Sequence, residues 1–377
     1  MERMKIQMCD LVGQYRKIQS EVDEAMSQVI ETSSFINGPQ VKKFKANLEK
    51  YTGAKHVIPC ANGTDALQIA LMALGLQPGD EVIVPAFTYV AAAEVIGLLR
   101  LVPVMVDVDK DSFNITLSNI EKGLSPKTKA IIPVHLFGQN CPMEEIMDFA
   151  KKNNLFVIED NAQAIGAQYT FSDGSTKQSG TIGDIGCTSF FPTKNLGCFG
   201  DGGAMMTDDD ALAERLRMMT VHGQSVKYHH EILVCNSRLD TVQAAILNVK
   251  LQHLDEYIQA RQQKAKIYSN GLANIDEITL PKEMPYSTHV YHQYTLKVKD
   301  GKRNALKTYL LEQGVPSMIY YPLPLNEQNA FKSIARAAEN PDISKELAGS
   351  VLSLPMHTEL TIEEQEYIIA TVKNFFY

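Results

Sequence analysis

The stretch "HVIPCANGTDALQIALMALG", residues 56–75, joins an apolar run, a turn of small polar residues and a helical pattern. Its first five residues read as a strand and residues 63–75 as the helix that follows. A strand that is apolar throughout suits a sheet covered on both faces, which is a parallel sheet with crossover helices. The same unit recurs outward from it. "DEVIVP" (80–85) precedes helical "TYVAAAEVIGLLR" (88–100). "VPVMVDV" (102–108) and "KAIIPVHLFG" (129–138) are further strands, and helical "PMEEIMDFAKKN" (142–153) leads into "LFVIED" (155–160). "DIGCTSFF" (184–191) and "GGAMMT" (202–207) add two more strands, followed by a helix with acidic residues in its first turn, "DDDALAERLRMMT" (208–220).

The pattern changes after residue 235. Residues 238–272 read as one or two long helices, "YHQYTLKV" (291–298) as a strand, residues 301–314 as a helix, "VPSMIYYP" (315–322) as a strand and residues 361–376 as a closing helix. The polar "TFSDGSTKQSG" (170–180) reads as an exposed turn or hairpin. The expected organisation is a large α/β domain with an N-terminal arm, residues 1–235. Linking helices and a small C-terminal α+β domain follow, residues 236–377.

The totals fit a folded enzyme-sized chain. Its 377 residues exceed one simple core, and 45% are hydrophobic and 21% charged. A net charge of -8 argues against non-specific nucleic-acid binding. The opening "MERMKIQMCDLVGQYRKIQ" lacks a continuous apolar core, and no run approaches 18 apolar residues, so neither a signal peptide nor a membrane span is expected. Six cysteines, at 9, 60, 141, 187, 198 and 235, show no C-x-x-C pair. They read as thiols of a reducing cytoplasm, and no metal site is expected.

In open α/β sheets ligands gather at the carboxyl ends of the strands. Four features lie there. After residues 56–60 come Asn62, Gly63 and Thr64 at a helix start, where free amides suit a phosphate or where Asn62 or Thr64 is an N-cap. The sequence is neither a P-loop nor a dinucleotide fingerprint. After residue 85 comes Tyr89, which can stack on a flat ring or pack the sheet. Asp160 follows four apolar residues and needs a partner: a backbone amide, a buried base or a protonated ring nitrogen. Ser189 and Lys194 follow the strand near 185. A buried lysine loses its proton readily and becomes a nucleophile, whereas a surface lysine snorkels. Phosphate cradle, stacking ring, carboxylate and lysine match the four parts of pyridoxal 5'-phosphate.

"ANGTDAL", "PAFTYVA", "IEDNAQAIGA", "TSFFPTKNLGCFGDGGAMMT", "NSRLDTVQAAIL" and "YYPLPLN" together resemble the DegT/StrS-type nucleotide-sugar aminotransferases, from about residue 8 to 360. The resemblance implies the fold type I (aspartate aminotransferase-like) transferase fold and a homodimer with shared active sites. It implies that Lys194 binds the cofactor covalently and moves the proton, that Asp160 pairs with the pyridine nitrogen and that Gln163 neighbours the ring hydroxyl. Gly63, Thr64 and Ser189 would hold the phosphate and Tyr89 would stack on the ring. Asn236 would reach the partner subunit's cofactor phosphate, and Arg238 an anionic sugar or the donor carboxylate in the partner's site. L-glutamate would be the donor, leaving 2-oxoglutarate.

The wording of the motifs is similar to enzymes that aminate a UDP-linked 2-acetamido-3-oxo-glucuronate for surface polysaccharide such as O-antigen. Those relatives carry His-Tyr-Pro where this chain has Tyr320, Tyr321 and Pro322, and Tyr320 offers a hydrogen bond without a charge. A dTDP-linked 3-oxo-6-deoxyhexose is the competing acceptor. A sugar dehydrase or lyase and a non-catalytic regulator are the other readings of the same scaffold; relatives that act as dehydrases have histidine in place of the lysine.

Overall fold

A computed structural model describes residues 6–377. The first five residues, and the reading of them as free of a leader, lie outside it. The apolar runs form strands in the expected order: β1 (His56–Cys60), β2 (Glu81–Pro85), β3 (Val102–Val106), β4 (Thr128–Ile131) and β5 (Phe156–Asp160). The polar segment is a hairpin, β6 (Gln168–Thr170) and β7 (Thr176–Gln178). Then come β8 (Ile185–Ser189), β9 (Gly203–Thr207) and a small ribbon, β10 (Gln224–Val226) with β11 (His229–His230).

The main sheet has eight strands in the order β1-β9-β8-β5-β4-β2-β3, closed at its far edge by β14 (Arg336–Ala337). Every pairing from β8 to that edge is parallel. β9 alone is reversed, antiparallel to both β1 and β8. The reversal follows from the chain: residues 190–202 return it directly beside β8, with no crossover helix, so the next strand must run backwards. That return segment holds Lys194. It lies at the same edge as the carboxyl ends of β1 and β5.

β2, β8 and β9 are buried along their whole length, which explains their lack of alternation. The helix Gly63–Ala73 buries Ala66, Leu67, Ile69, Ala70, Leu71 and Ala73, and packs on β8 and β9. A second sheet, β12 (Ile278–Thr279), β13 (Tyr294–Val298) and β15 (Val351–Leu354), has its own core around Tyr268, Tyr294 and Leu296. Residues 238–272 hold two helices, Thr241–Gln252 and Leu254–Leu272. A third apolar cluster joins Phe44, Leu48, Leu247 and Leu251 to Phe190, Leu196 and Cys198 of the return segment. Phe44 and Phe190 meet edge to face at 5.3 Å. Each such large side chain contributes about 1.5–3 kcal/mol by leaving water.

The structure corrects one strand. Residues 315–322 are irregular and touch a sheet only through the bridge between Met318 and Ser353. Pro316 lacks the amide a ladder needs, and the segment instead turns Tyr320 and Tyr321 inward. Sequence reading missed five short strands: β10, β11, β12, β15 and, two residues long at the far edge of the main sheet, β14. Arg336 anchors it, with Nη2 on Glu81 Oε2 at 2.7 Å and on the Gly123 carbonyl at 2.7 Å. Among the described residues no helix is long and apolar enough to cross a membrane.

Candidate active site

The segment after β8 alternates anchors with cavity-facing residues. Phe190, Leu196 and Cys198 are buried in the third cluster. The Cys198 amide donates to the Phe190 carbonyl at 2.8 Å and the Lys194 amide to the Phe191 carbonyl at 2.8 Å. Lys250 Nζ donates to the Gly197 carbonyl at 2.7 Å, and Asn195 Nδ2 to the Val290 carbonyl at 3.0 Å. A Cβ at Gly197 would collide with the Pro192 carbonyl, so the tight turn needs glycine there. Lys194 is therefore held from both sides, and among the described residues it forms no ion pair that would occupy its amine.

Its side chain enters a cavity of about 450 Å³. Gly63, Thr64, Tyr89, Asp160, Gln163, Ser189, Tyr320 and Tyr321 line the same cavity. The structure thus gathers these residues from β1, β2, β5, β8 and the irregular 315–322 segment. Tyr89 is 56% exposed at the mouth, its ring 6.1 Å from that of Tyr321. Gln163 spans the floor: its Oε1 accepts the Phe137 amide at 2.6 Å and its Nε2 donates to the Tyr321 hydroxyl at 3.2 Å.

Asp160 is 6% exposed. Its Oδ1 accepts the Ala162 amide at 3.0 Å, and its second oxygen takes no hydrogen bond among the described residues. Burial pushes its pKa up, opposed by that amide and by the nearby Lys194. Burial likewise draws the Lys194 amine down to about 8, with the Asp160 carboxylate holding it from falling further. Both groups are perturbed by desolvation in one cavity, the pattern of a reactive site. Behind Asp160 lies a fully buried pair that sequence reading missed, His135 Nε2 and Glu159 Oε2, 2.8 Å apart. The Cys141 amide donates to His135 Nδ1 at 3.1 Å, which leaves Nε2 as the donor to Glu159.

Opposite the carboxylate is the helix start. Asn62 is its N-cap, Oδ1 accepting the Asp65 amide at 2.8 Å. The Gly63 and Thr64 amides have no acceptor among the described residues, as the first amides of a helix do not. Ser189 closes the corner: a Cβ on Gly63 would lie 2.7 Å from Ser189 Cβ. Free amides, a hydroxyl and space that a single methyl would fill suit a phosphate. The carboxylate oxygen without a donor and the unpaired lysine suit the rest of pyridoxal phosphate.

Asn236 and Arg238 are not brought into this cavity. Asn236 is exposed, beside the Val221–Asn236 bridge, and Arg238 makes no hydrogen bond or ion pair among the described residues. Phe137, Thr193, Asp201, His292 and Gln293 also line the cavity. Thr193 and Asp201 belong to the 188–207 motif, whereas no local motif marks Phe137, His292 or Gln293, which converge from separate stretches of chain.

The sequence profile of the DegT/DnrJ/EryC1/StrS aminotransferase family matches residues 16–373. The chain belongs to that family. This aminotransferase is 46% identical over 376 residues to a pleiotropic regulatory protein of Geobacillus stearothermophilus, covering 99% of each. It is 42% identical to the UDP-2-acetamido-2-deoxy-3-oxo-D-glucuronate aminotransferase of Pseudomonas aeruginosa, covering 98% of this chain and 100% of that one. It is 43% identical to a UDP-N-acetyl-3-dehydro-alpha-D-glucosamine 3-aminotransferase of Acidithiobacillus ferrooxidans, covering 97% and 96%. A crystal structure of a family member from Brucella abortus superposes with a TM-score of 0.93 at 40% identity, covering 98% and 99%. One from Bacillus subtilis, described with bound cofactor PMP, gives 0.91 at 30% identity, covering 100% and 86%. The fold is that of the fold type I transferases, and the aminotransferase is a pyridoxal-phosphate-dependent sugar transaminase.

Proposed function

We propose that this aminotransferase moves the amino group of L-glutamate to a UDP-linked 2-acetamido-2-deoxy-3-oxo-glucuronate, giving the 3-amino sugar for surface polysaccharide in the cytoplasm. The observation that carries the reaction is the meeting of Lys194, Asp160 and the Gly63–Ser189 corner in one cavity. The sugar reading is supported by two relatives at 42% and 43% identity, both named for UDP-linked 3-oxo amino sugars.

Bound pyridoxal phosphate supplies a carbonyl for an amino group to join and a ring that takes up the electron pair of a broken carbon–hydrogen bond. In this reading Gly63, Thr64 and Ser189 bind its phosphate and Tyr89 covers its ring. Asp160 keeps a proton on the ring nitrogen, a task for a carboxylate whose second oxygen is open. Gln163 holds Tyr321 and the Phe137 turn in place beside the ring. Lys194 Nζ would take the proton from the donor carbon and deliver it to the cofactor's carbonyl-derived carbon, and in the second half would carry a proton the other way, from that carbon to the sugar carbon. Its amine, drawn to about 8, exchanges a proton readily near neutral pH.

Two copies of the chain share their sites in this reading. Asn236 and Arg238 lie outside their own cavity, and the neighbouring ribbon and the segment after it expose Val226, Tyr228 and Leu233. Asn236 would reach the partner subunit's cofactor phosphate, and the unpaired Arg238 the acid of the sugar or of the donor. Mixing Lys194→Ala with the weakly active Arg238→Ala subunits should raise activity well above that of either alone if sites are shared, and gives no increase if each subunit works alone.

Tyr320 favours a second acceptor class. Its hydroxyl is neutral, so a 3-oxo sugar without a carboxylate, such as a dTDP-linked 6-deoxyhexose, meets no missing charge there. A panel of nucleotide-linked keto-sugars with L-glutamate separates the two. The glucuronate should be aminated most efficiently, and Arg238→Ala should reduce its kcat/KM by about 100-fold, the loss of a charge-assisted pair. Preference for the neutral sugars, with Arg238→Ala acting equally on all, would overturn the glucuronate assignment.

A further inference from the structure

His292 shares the cavity wall with Lys194. It is 6% exposed, and its Nδ1 is buried without a hydrogen-bond partner among the described residues. Leaving a buried nitrogen unpaired is unfavourable, so the groups that share its cavity are the place to look for its partner.

The backbone that carries the ring is held from two sides. Asn195, the residue after Lys194, donates from Nδ2 to the Val290 carbonyl at 3.0 Å. The Val290 amide donates to the Gly138 carbonyl at 2.9 Å. Gly138, at φ 109°, lets that turn approach closely: a Cβ there would sit 3.0 Å from the His292 amide nitrogen. From the other side, buried Arg261 grips the backbone, Nη1 reaching the carbonyls of Tyr291 at 3.1 Å, His292 at 3.4 Å and Met356 at 3.1 Å. Burial, with Lys194 and Arg261 both near, holds the imidazole far below its usual pKa, so it is uncharged at neutral pH. An uncharged imidazole offers one acceptor nitrogen, and a protonated lysine has only donors.

We propose that His292 is a positioning residue for Lys194: a ring nitrogen accepts a hydrogen bond from the Nζ ammonium whenever that amine is detached from the cofactor and carrying a proton. The inference rests on the reading of Lys194 as the proton carrier. No proton passes to His292 and no bond is made or broken there. A neutral acceptor holds the charged amine without competing for its proton, which a second carboxylate beside Asp160 would do. The other titratable groups around the pair are Tyr89, Asp160, Asp201, Tyr320 and Tyr321 in the cavity wall and Arg261 and Cys9 behind it. They are unchanged in a His292 variant, so a difference between variants isolates the imidazole.

The test uses the cofactor-free protein, with acetic anhydride labelling of Lys194 followed by peptide mass spectrometry across pH. The wild-type midpoint should fall near 8. His292→Phe removes an acceptor that favours the charged amine, so the midpoint should drop by about one unit. His292→Gln, which keeps an acceptor, should recover most of the shift. In the loaded enzyme, the glutamate half-reaction of His292→Phe should slow by about tenfold with little change in KM. An unmoved midpoint in His292→Phe, or a Gln variant no different from Phe, overturns the proposal. Should His292→Phe fail to fold, the ¹⁵N shifts of the His292 ring are compared between wild type and Lys194→Ala. Movement supports the contact and identity overturns it. If instead the glutamate half-reaction survives in Lys194→Ala, the proton-carrier reading fails, separately from the hydrogen bond.

Discussion

Glu159 and Asp160 are neighbours on β5 and face opposite ways. Asp160 looks into the cavity, where its second oxygen is open. Glu159 looks away from it and accepts four hydrogen bonds: the amides of Gly180 at 3.0 Å, Ile182 at 2.6 Å and Gly183 at 2.6 Å, and His135 Nε2 at 2.8 Å. The period of a strand separates a carboxylate open to the cavity from one enclosed by donors in a single step.

Glu159→Gln should therefore destabilise the fold by about 3 kcal/mol, since an amide offers one acceptor oxygen and a misplaced donor to this buried set. Burial alone would raise the Glu159 carboxyl, but His135 and the backbone amides outweigh it and hold the pKa below the usual range. A depressed folded-state pKa gives stability that is present above the unfolded value and lost as pH falls through the folded one. Urea unfolding should thus show the full wild-type advantage at pH 7 and a shrinking one below about pH 4. A difference that does not change with pH would mean that Glu159 is not charged in the fold.

Gly63→Ala tests the phosphate corner. The added methyl would sit 2.7 Å from Ser189 Cβ and 3.2 Å from Ser189 Oγ. Cofactor dissociation measured by fluorescence titration should weaken by at least about tenfold, roughly the loss of one charge-assisted hydrogen bond. The thermal midpoint of the cofactor-free variant should change much less than cofactor affinity does. Equal affinity in the variant would remove Gly63 and Ser189 from the phosphate site.

Lys194 predicts a pH dependence of the cofactor-free protein. Its folded-state pKa of about 8 lies below the value near 10.4 expected in the unfolded chain. Between the two, the unfolded chain binds the proton and the folded one does not, so folding gains as pH rises. Lys194→Met should be more stable than wild type by ~2 kcal/mol at pH 7, and that gain should vanish between about pH 8 and 10.5. Denaturant titrations of both proteins across this range check it. A gain that is flat with pH would place the amine in water rather than in the cavity.

Much of this was legible in the sequence because it is local. Apolar runs of β1 to β5 identify a doubly covered sheet, Asp160 ends a strand, and Lys194 and Gly63 each follow a strand end. What was not legible depends on contacts between distant segments. The reversal of β9 is decided by a return of the chain too short for a crossover. The strand expected at 315–322 gives way because Pro316 has no ladder donor, while β14 forms because Arg336 finds Glu81 from 255 residues away. His135 and His292 are ordinary histidines in the sequence. Only the approach of the Phe137–Gly138 turn, Arg261 and Asn195 to their surroundings gives them a place near the site. Asn236 and Arg238 are the converse: the motif that holds them is clear, yet a single chain leaves them outside the cavity.

The central claim is that Lys194 is the amine that holds the cofactor. Its most direct test is borohydride reduction of the protein loaded with pyridoxal phosphate, followed by peptide mass mapping. The cofactor mass should appear on the peptide containing Lys194, and pretreatment with L-glutamate should prevent its fixation there. Lys250 is the built-in control, a buried lysine whose amine is also drawn to about 8 but which is bound to the Gly197 carbonyl at 2.7 Å. Cofactor on Lys250, or on no lysine at all, would contradict the account.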